Sequence, residues 1–102
     1  MYPYMVLCIK DSNDTYLTPF VLKIDYDTGF SVEPYVSGVD EIMFKAKQAG
    51  TVYWYFSRTN ELPAMNDFMS AYAAAGSAKR GYESIRSLNT YTTIAFDSAY
   101  AL

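Results

Sequence analysis

Residues 51–57 (TVYWYFS) are the most strand-like run in the chain, and they are oily on both sides. Successive side chains of an extended strand point to opposite faces, so Val52, Trp54 and Phe56 share one side and Tyr53 and Tyr55 the other. Residues 2–9 (YPYMVLCI) repeat the arrangement, with Met5, Leu7 and Ile9 opposed to Tyr4, Val6 and Cys8. A third run, 30–36 (FSVEPYV), sets Phe30, Val32 and Val36 against Tyr35. An antiparallel sheet commonly buries one face and wets the other. Here the second face is built of tyrosine, so it requires cover or a partner.

The remaining elements follow from local chemistry. Asp11-Ser12-Asn13-Asp14 is turn-forming, because Asx side chains bond the nearby backbone. Phe20, Leu22, Ile24 and Tyr26 alternate through a second strand over 16–26, and Asp27-Thr28-Gly29 closes a hairpin onto the third. Pro34 has no N–H to donate, which assigns that third strand to an edge or a bulge. Ser37 reads as the cap of a helix carrying Val39, Ile42, Met43 and Ala46, ended by Gly50. Pro63 opens a second helix, with Met65, Phe68, Met69 and Tyr72 on its apolar stripe and Gly76 at its end. Its small residues Ala73, Ala74 and Ala75 permit close approach of a neighbour. A third helix is expected over 78–88, presenting Ile85 and Leu88 and capped by Asn89, before a last strand at 90–97. The order β-β-β-α-β-α-α-β predicts a single α+β domain over 1–102, with a mostly antiparallel five-stranded sheet and helices packed on one face.

Chemistry is constrained mainly by what is missing. The 102 residues include no histidine and one cysteine. Histidine-based triads and general bases are thereby excluded, and zinc has almost no ligands to use. Cys8 sits inside an apolar strand, where a thiol is an inert small hydrophobe. No glycine-rich phosphate loop occurs, and the Asp11–Asp14 run lacks the Gly and Glu that a calcium loop needs after it. No cofactor or metal is therefore expected. Asp27-Thr28-Gly29 does match the catalytic triplet of aspartic proteases, but Tyr26 and Phe30 flank it where that pattern has an apolar and a small residue. No Gly-Arg signature follows either, so the hairpin reading is preferred.

The net charge of −3 disfavours nucleic acid and anionic membranes as partners. Charge is uneven: residues 11–41 hold seven acids against Lys23, whereas 42–88 hold six bases against three acids. The N-terminal run has no basic flank or cleavage pattern, and no apolar run approaches the ~20 residues of a membrane span. A cytoplasmic protein is expected, of a cell or of an infected host cell.

Eleven tyrosines are many for this length. Tyrosine joins a large apolar ring to a wet tip at little entropic cost on ordering, which suits contact surfaces. The residues assigned to partner binding are Tyr4, Tyr35, Tyr53 and Tyr55, with Lys79, Arg80, Tyr82 and Arg86 as a basic group on the third helix. The leading expectation is a non-enzymatic protein-binding domain, such as a phage- or mobile-element-encoded inhibitor or adaptor with a protein partner. A self-assembling, virion-type subunit or homodimer is the alternative. A dimeric aspartic protease-like enzyme using Asp27 ranks last.

Overall fold

The computed structural model describes residues 2–23, 30–32, 35–37, 41–45, 49–86 and 91–96. It is mostly antiparallel sheet with one short α-helix among the described residues. Strands β1 (Tyr4–Asp11), β2 (Phe20–Lys23), β6 (Gly50–Ser57) and β7 (Arg80–Ile85) form one sheet in the order β2-β1-β6-β7. Strands β3 (Phe30–Val32), β4 (Tyr35–Ser37), β5 (Glu41–Lys45) and β8 (Tyr91–Ala95) form a second, ordered β3-β4-β5-β8. Helix α1 (Phe68–Ala74) follows a 3-10 turn at Met65–Asp67.

The alternation read from β1 and β6 is observed. Met5 pairs with Phe56, Leu7 with Trp54 and Ile9 with Val52. These side chains join Leu22 and Ile85 and meet Ile42 and Ile94 of the second sheet in one core, where Met5, Leu7, Ile42 and Val52 are fully buried. Two sheets facing each other over interleaved side chains make a sandwich-like core. The Asp11 turn is also present: the carboxylate accepts from the backbone N–H groups of Asn13 and Thr15 at 2.9 and 3.0 Å.

Several expectations are corrected. The sheet is not a single five-stranded layer: the inner face is covered by a second sheet. The expected helix beginning at Ser37 is absent, because Ser37 ends β4 and residues 41–45 form β5. Ile42 and Met43 fit a helical stripe as well as a strand over so short a run. Pairing decides it, since β5 lies between β4 and β8 and sets Ile42 against Ile94. The expected third helix is likewise strand β7, paired to β6 from Gly50↔Ile85 to Tyr55↔Arg80. The long strand over 16–26 is interrupted. Tyr16 bridges Lys10 whereas Phe20 pairs with Leu7, which leaves one extra residue on the second strand around Pro19. Residues 30–36 hold two strands, β3 and β4, paired with each other. Asp27-Thr28-Gly29, Pro34, Val39, Ala46, Leu88 and Asn89 lie outside the described residues. No helix among the described residues is long and apolar enough to cross a membrane.

Candidate functional site

The outer face of the first sheet carries the tyrosines. Register puts Tyr4, Val6 and Cys8 of β1 opposite Ser57, Tyr55 and Tyr53 of β6, and Tyr55 and Tyr53 opposite Arg80 and Tyr82 of β7. All of these therefore project from the same side.

Helix α1 covers the middle of that side and no more. Its two turns bring Phe68, fully buried, onto Val6, Cys8 and Tyr55. The Tyr55 and Phe68 rings stand 5.4 Å apart at their centres. Burial raises the pKa of the Tyr55 phenol. Tyr55 is thus a core residue, which corrects its assignment to a contact surface. Burial also pushes the Cys8 thiol up to about 11, and its Sγ donates a hydrogen bond to the Leu17 carbonyl oxygen at 3.1 Å. A neutral, covered thiol is no nucleophile at ordinary pH. Ala71 and Ala75 pack against this cluster, whereas Ala73 and Ala74 are exposed.

Beyond the helix, the rings stay partly open. Tyr53 is the hub, 5.4 Å from Tyr72 in an edge-to-face contact, 6.0 Å from Tyr82 and 6.4 Å from Tyr16. Tyr82 is 68% exposed and is held by the Tyr53 ring beneath it. Next to Tyr16, a shallow depression of about 420 Å³ is bounded by Thr15, Tyr16, Asn66 and Met69.

Cations border the patch, and both are engaged. Arg80 donates from Nη1 to the carbonyl oxygens of Tyr72 and Ala73 at 3.0 and 2.8 Å, and its guanidinium lies 5.0 Å from the Tyr72 ring centre. It therefore binds carbonyls at the end of α1, where that of Tyr72 also accepts from the Ala75 N–H at 3.3 Å, and places positive charge at the negative end of that helix. Lys10 stands 5.3 Å from the Tyr16 ring centre and 3.7 Å from the Asp14 carboxylate.

Of the eight residues singled out in the sequence, Tyr53 and Tyr82 meet in the open patch. Tyr55 and Arg80 share their face but serve packing and helix anchoring. Tyr4 lies on the same face, half-buried, at its far end. Lys79 is directed to the other side of the sheet, over Tyr2. Tyr35 belongs to β4 of the second sheet, and its side chain lies outside what is described. Arg86 is exposed just past β7. The expected basic helix is therefore not a unit, since Lys79 ends a 3-10 turn and Arg80 begins β7. Tyr16 and Tyr72 were missed as members of the patch. Tyr72 was visible on the apolar stripe of its helix, but ring contacts between a helix and a strand have no sequence spacing.

Among the described residues no three or more Cys, Asp and Glu side chains gather in a group able to hold a metal ion. The chain matches no family model, no curated protein and no solved structure.

Proposed function

We propose that this chain is a non-catalytic protein-binding domain that meets its partner through Tyr53, Tyr72 and Tyr82, with Tyr16 at the margin. The observation that carries this reading is the two-thirds exposure of Tyr82 on top of a packed ring cluster. An aromatic side chain held rigidly at the surface loses little freedom when it is covered, so its apolar area converts efficiently into binding. The depression beside Tyr16 offers a socket for a protruding side chain. Because Lys10 and Arg80 are tied to Asp14 and to the helix carbonyls, the patch presents rings and hydroxyls rather than free positive charge. That composition favours a protein surface over a nucleic-acid backbone.

Affinity capture with the wild-type chain and with Tyr82→Ala tests the reading. A stoichiometric protein partner held by the wild type and lost, by tenfold or more in affinity, with Tyr82→Ala is expected. Capture unchanged by Tyr82→Ala and by Tyr53→Phe would remove the patch as the contact surface. Sedimentation across a concentration series shows whether that partner is a second copy of the chain.

A further inference from the structure

Three segments converge at one corner of the first sheet, on the side away from the tyrosine patch. Tyr2 precedes β1, Arg58 follows β6 and Lys79 precedes β7. The Tyr2 ring stacks on Phe56, with centres 6.0 Å apart and planes at 29°, and is packed against the core between the sheets. The Arg58 guanidinium carbon lies 5.1 Å from the Tyr2 ring centre and the Lys79 ammonium 5.2 Å from it. The Lys79 backbone is itself anchored, its N–H donating to the Gly76 carbonyl at 3.1 Å.

Neither cation has a carboxylate within ion-pair distance among the described residues, where Lys10 and Asp14 form the ion pair that is present. Acids outnumber bases in this chain, eleven to eight. Two cations at one ring, with no carboxylate partner among the described residues, therefore run against its average composition. With both about 5 Å from one ring centre, their like charges lie within about 10 Å of each other and repel. Lys79 first and Arg58 second also lower the pKa of the Tyr2 phenol.

We infer that Tyr2, Arg58 and Lys79 form a binding site for the dianion of a phosphate monoester. Arginine supplies a planar fork matched to phosphate oxygens, lysine a point charge, and the phenol one O–H donor. A phosphate monoester carries about −1.5 to −2 at pH 7 and balances two cations, where a carboxylate balances one. The cations already over the Tyr2 ring repel a cationic ligand. The phosphate belongs either to a small molecule or to a phosphorylated side chain of a protein.

Titration of the 102-residue chain by ¹H–¹⁵N NMR distinguishes these sources, with inorganic phosphate, phenyl phosphate, a phosphoserine peptide and acetate as probes. Saturable shifts at the amides of residues 2–4, 57–59 and 79–80 are expected with the phosphates, at least tenfold weaker with acetate. Arg58→Gln and Lys79→Gln are each expected to weaken phosphate binding about tenfold, as loss of one charge-assisted contact implies. Tighter binding of the peptide than of phenyl phosphate assigns the phosphate to a protein, and the reverse assigns it to a small molecule. Absence of saturable shifts, equal binding of acetate, or binding unchanged in the folded Arg58→Gln/Lys79→Gln double variant would overturn the site. These results are independent of Tyr82, which lies on the opposite side of the sheet.

Discussion

The two faces of the first sheet are made by the same strands and are finished differently. The inner face is closed by a whole second sheet. Among the described residues its buried side chains carry no hydroxyl: Met5, Leu7, Leu22, Val52, Phe56 and Ile85, with Trp54, pack on Ile42 and Ile94, and Tyr2 packs against them only half-buried. The outer face is closed by a two-turn helix, which seals Val6, Cys8 and Tyr55 under Phe68 and leaves Tyr53, Tyr72 and Tyr82 at the margin. The difference teaches why tyrosine is concentrated where cover is partial. A ring under a short helix has its body covered and its tip near water, and tyrosine satisfies both conditions. Where the cover is complete, an unsatisfied hydroxyl would cost free energy, and the side chains are hydrocarbon, indole or thioether instead.

The sharpest way to break this comparison is to remove the outer seal. Phe68→Ala takes a fully buried ring from beneath a helix too short to persist alone, and a loss of about 3–5 kcal/mol is expected. Chemical denaturation measures it. Met5→Ala on the inner face serves as the reference, with about 2–5 kcal/mol expected. A loss below about 1 kcal/mol for Phe68→Ala would mean that the outer face does not depend on α1, and the contrast would fail.

Alkaline pH separates the faces without a large cavity, because among the described residues the buried ionisable groups Cys8 and Tyr55 are on the outer face. Cys8 ionises near 9 in an unfolded chain and at about 11 in the fold. The fold holds the proton longer, so this contribution is fully present below pH 9 and is lost as pH rises from 9 to 11. A shift of about two pH units corresponds to about 2–3 kcal/mol. Burial raises the phenols of Tyr55 and Tyr72 as well, which extends the decline above pH 10. Denaturant midpoints measured at pH 8, 9 and 10.5 should fall for the wild type and fall less for Cys8→Ala. An equal fall in both would place the alkaline sensitivity elsewhere.

The inner face is tested by Gly81. A Cβ at this position would lie 2.5 Å from Cζ2 of the Trp54 side chain, which covers its strand partner. Gly81→Ala should cost about 1–3 kcal/mol through overpacking. Adding Trp54→Phe should recover part of that loss, so a double-mutant cycle yields a non-zero coupling. Additivity would show that the indole is free to move aside.

What was legible in the sequence is the division into faces, because period two is a geometric property of an extended chain. Met5, Leu7, Ile9, Val52, Trp54 and Phe56 were assigned together and are found together. What was not legible is which elements cover each face. Residues 41–45 and 80–85 satisfy a helical spacing over one turn, and their strand state is imposed by partners distant in sequence, β8 for the first and β6 for the second. A helical reading of 78–88 also groups Lys79 with Arg80, whereas the first ends a 3-10 turn, the second begins β7, and they reach different tyrosines. Tyr2 and Arg58 escaped notice for a related reason. Their convergence with Lys79 exists only once three strand ends have been brought to one corner.

The smallest expected effect is the one that bears most on the outer margin. Tyr82→Ala removes a ring that is 68% exposed on a residue whose backbone pairing with Tyr53 is retained. Surface changes of this kind usually shift stability by no more than about 0.5 kcal/mol. Tyr55→Ala, two residues along β6 from the hub and under Phe68, should cost about 3–5 kcal/mol on the same face. Thermal or urea unfolding of the two variants side by side measures how abruptly cover ends along one strand pair. If Tyr82→Ala costs as much as Tyr55→Ala, Tyr82 is a structural ring like the others, and the margin loses its claim as a surface kept open for a partner.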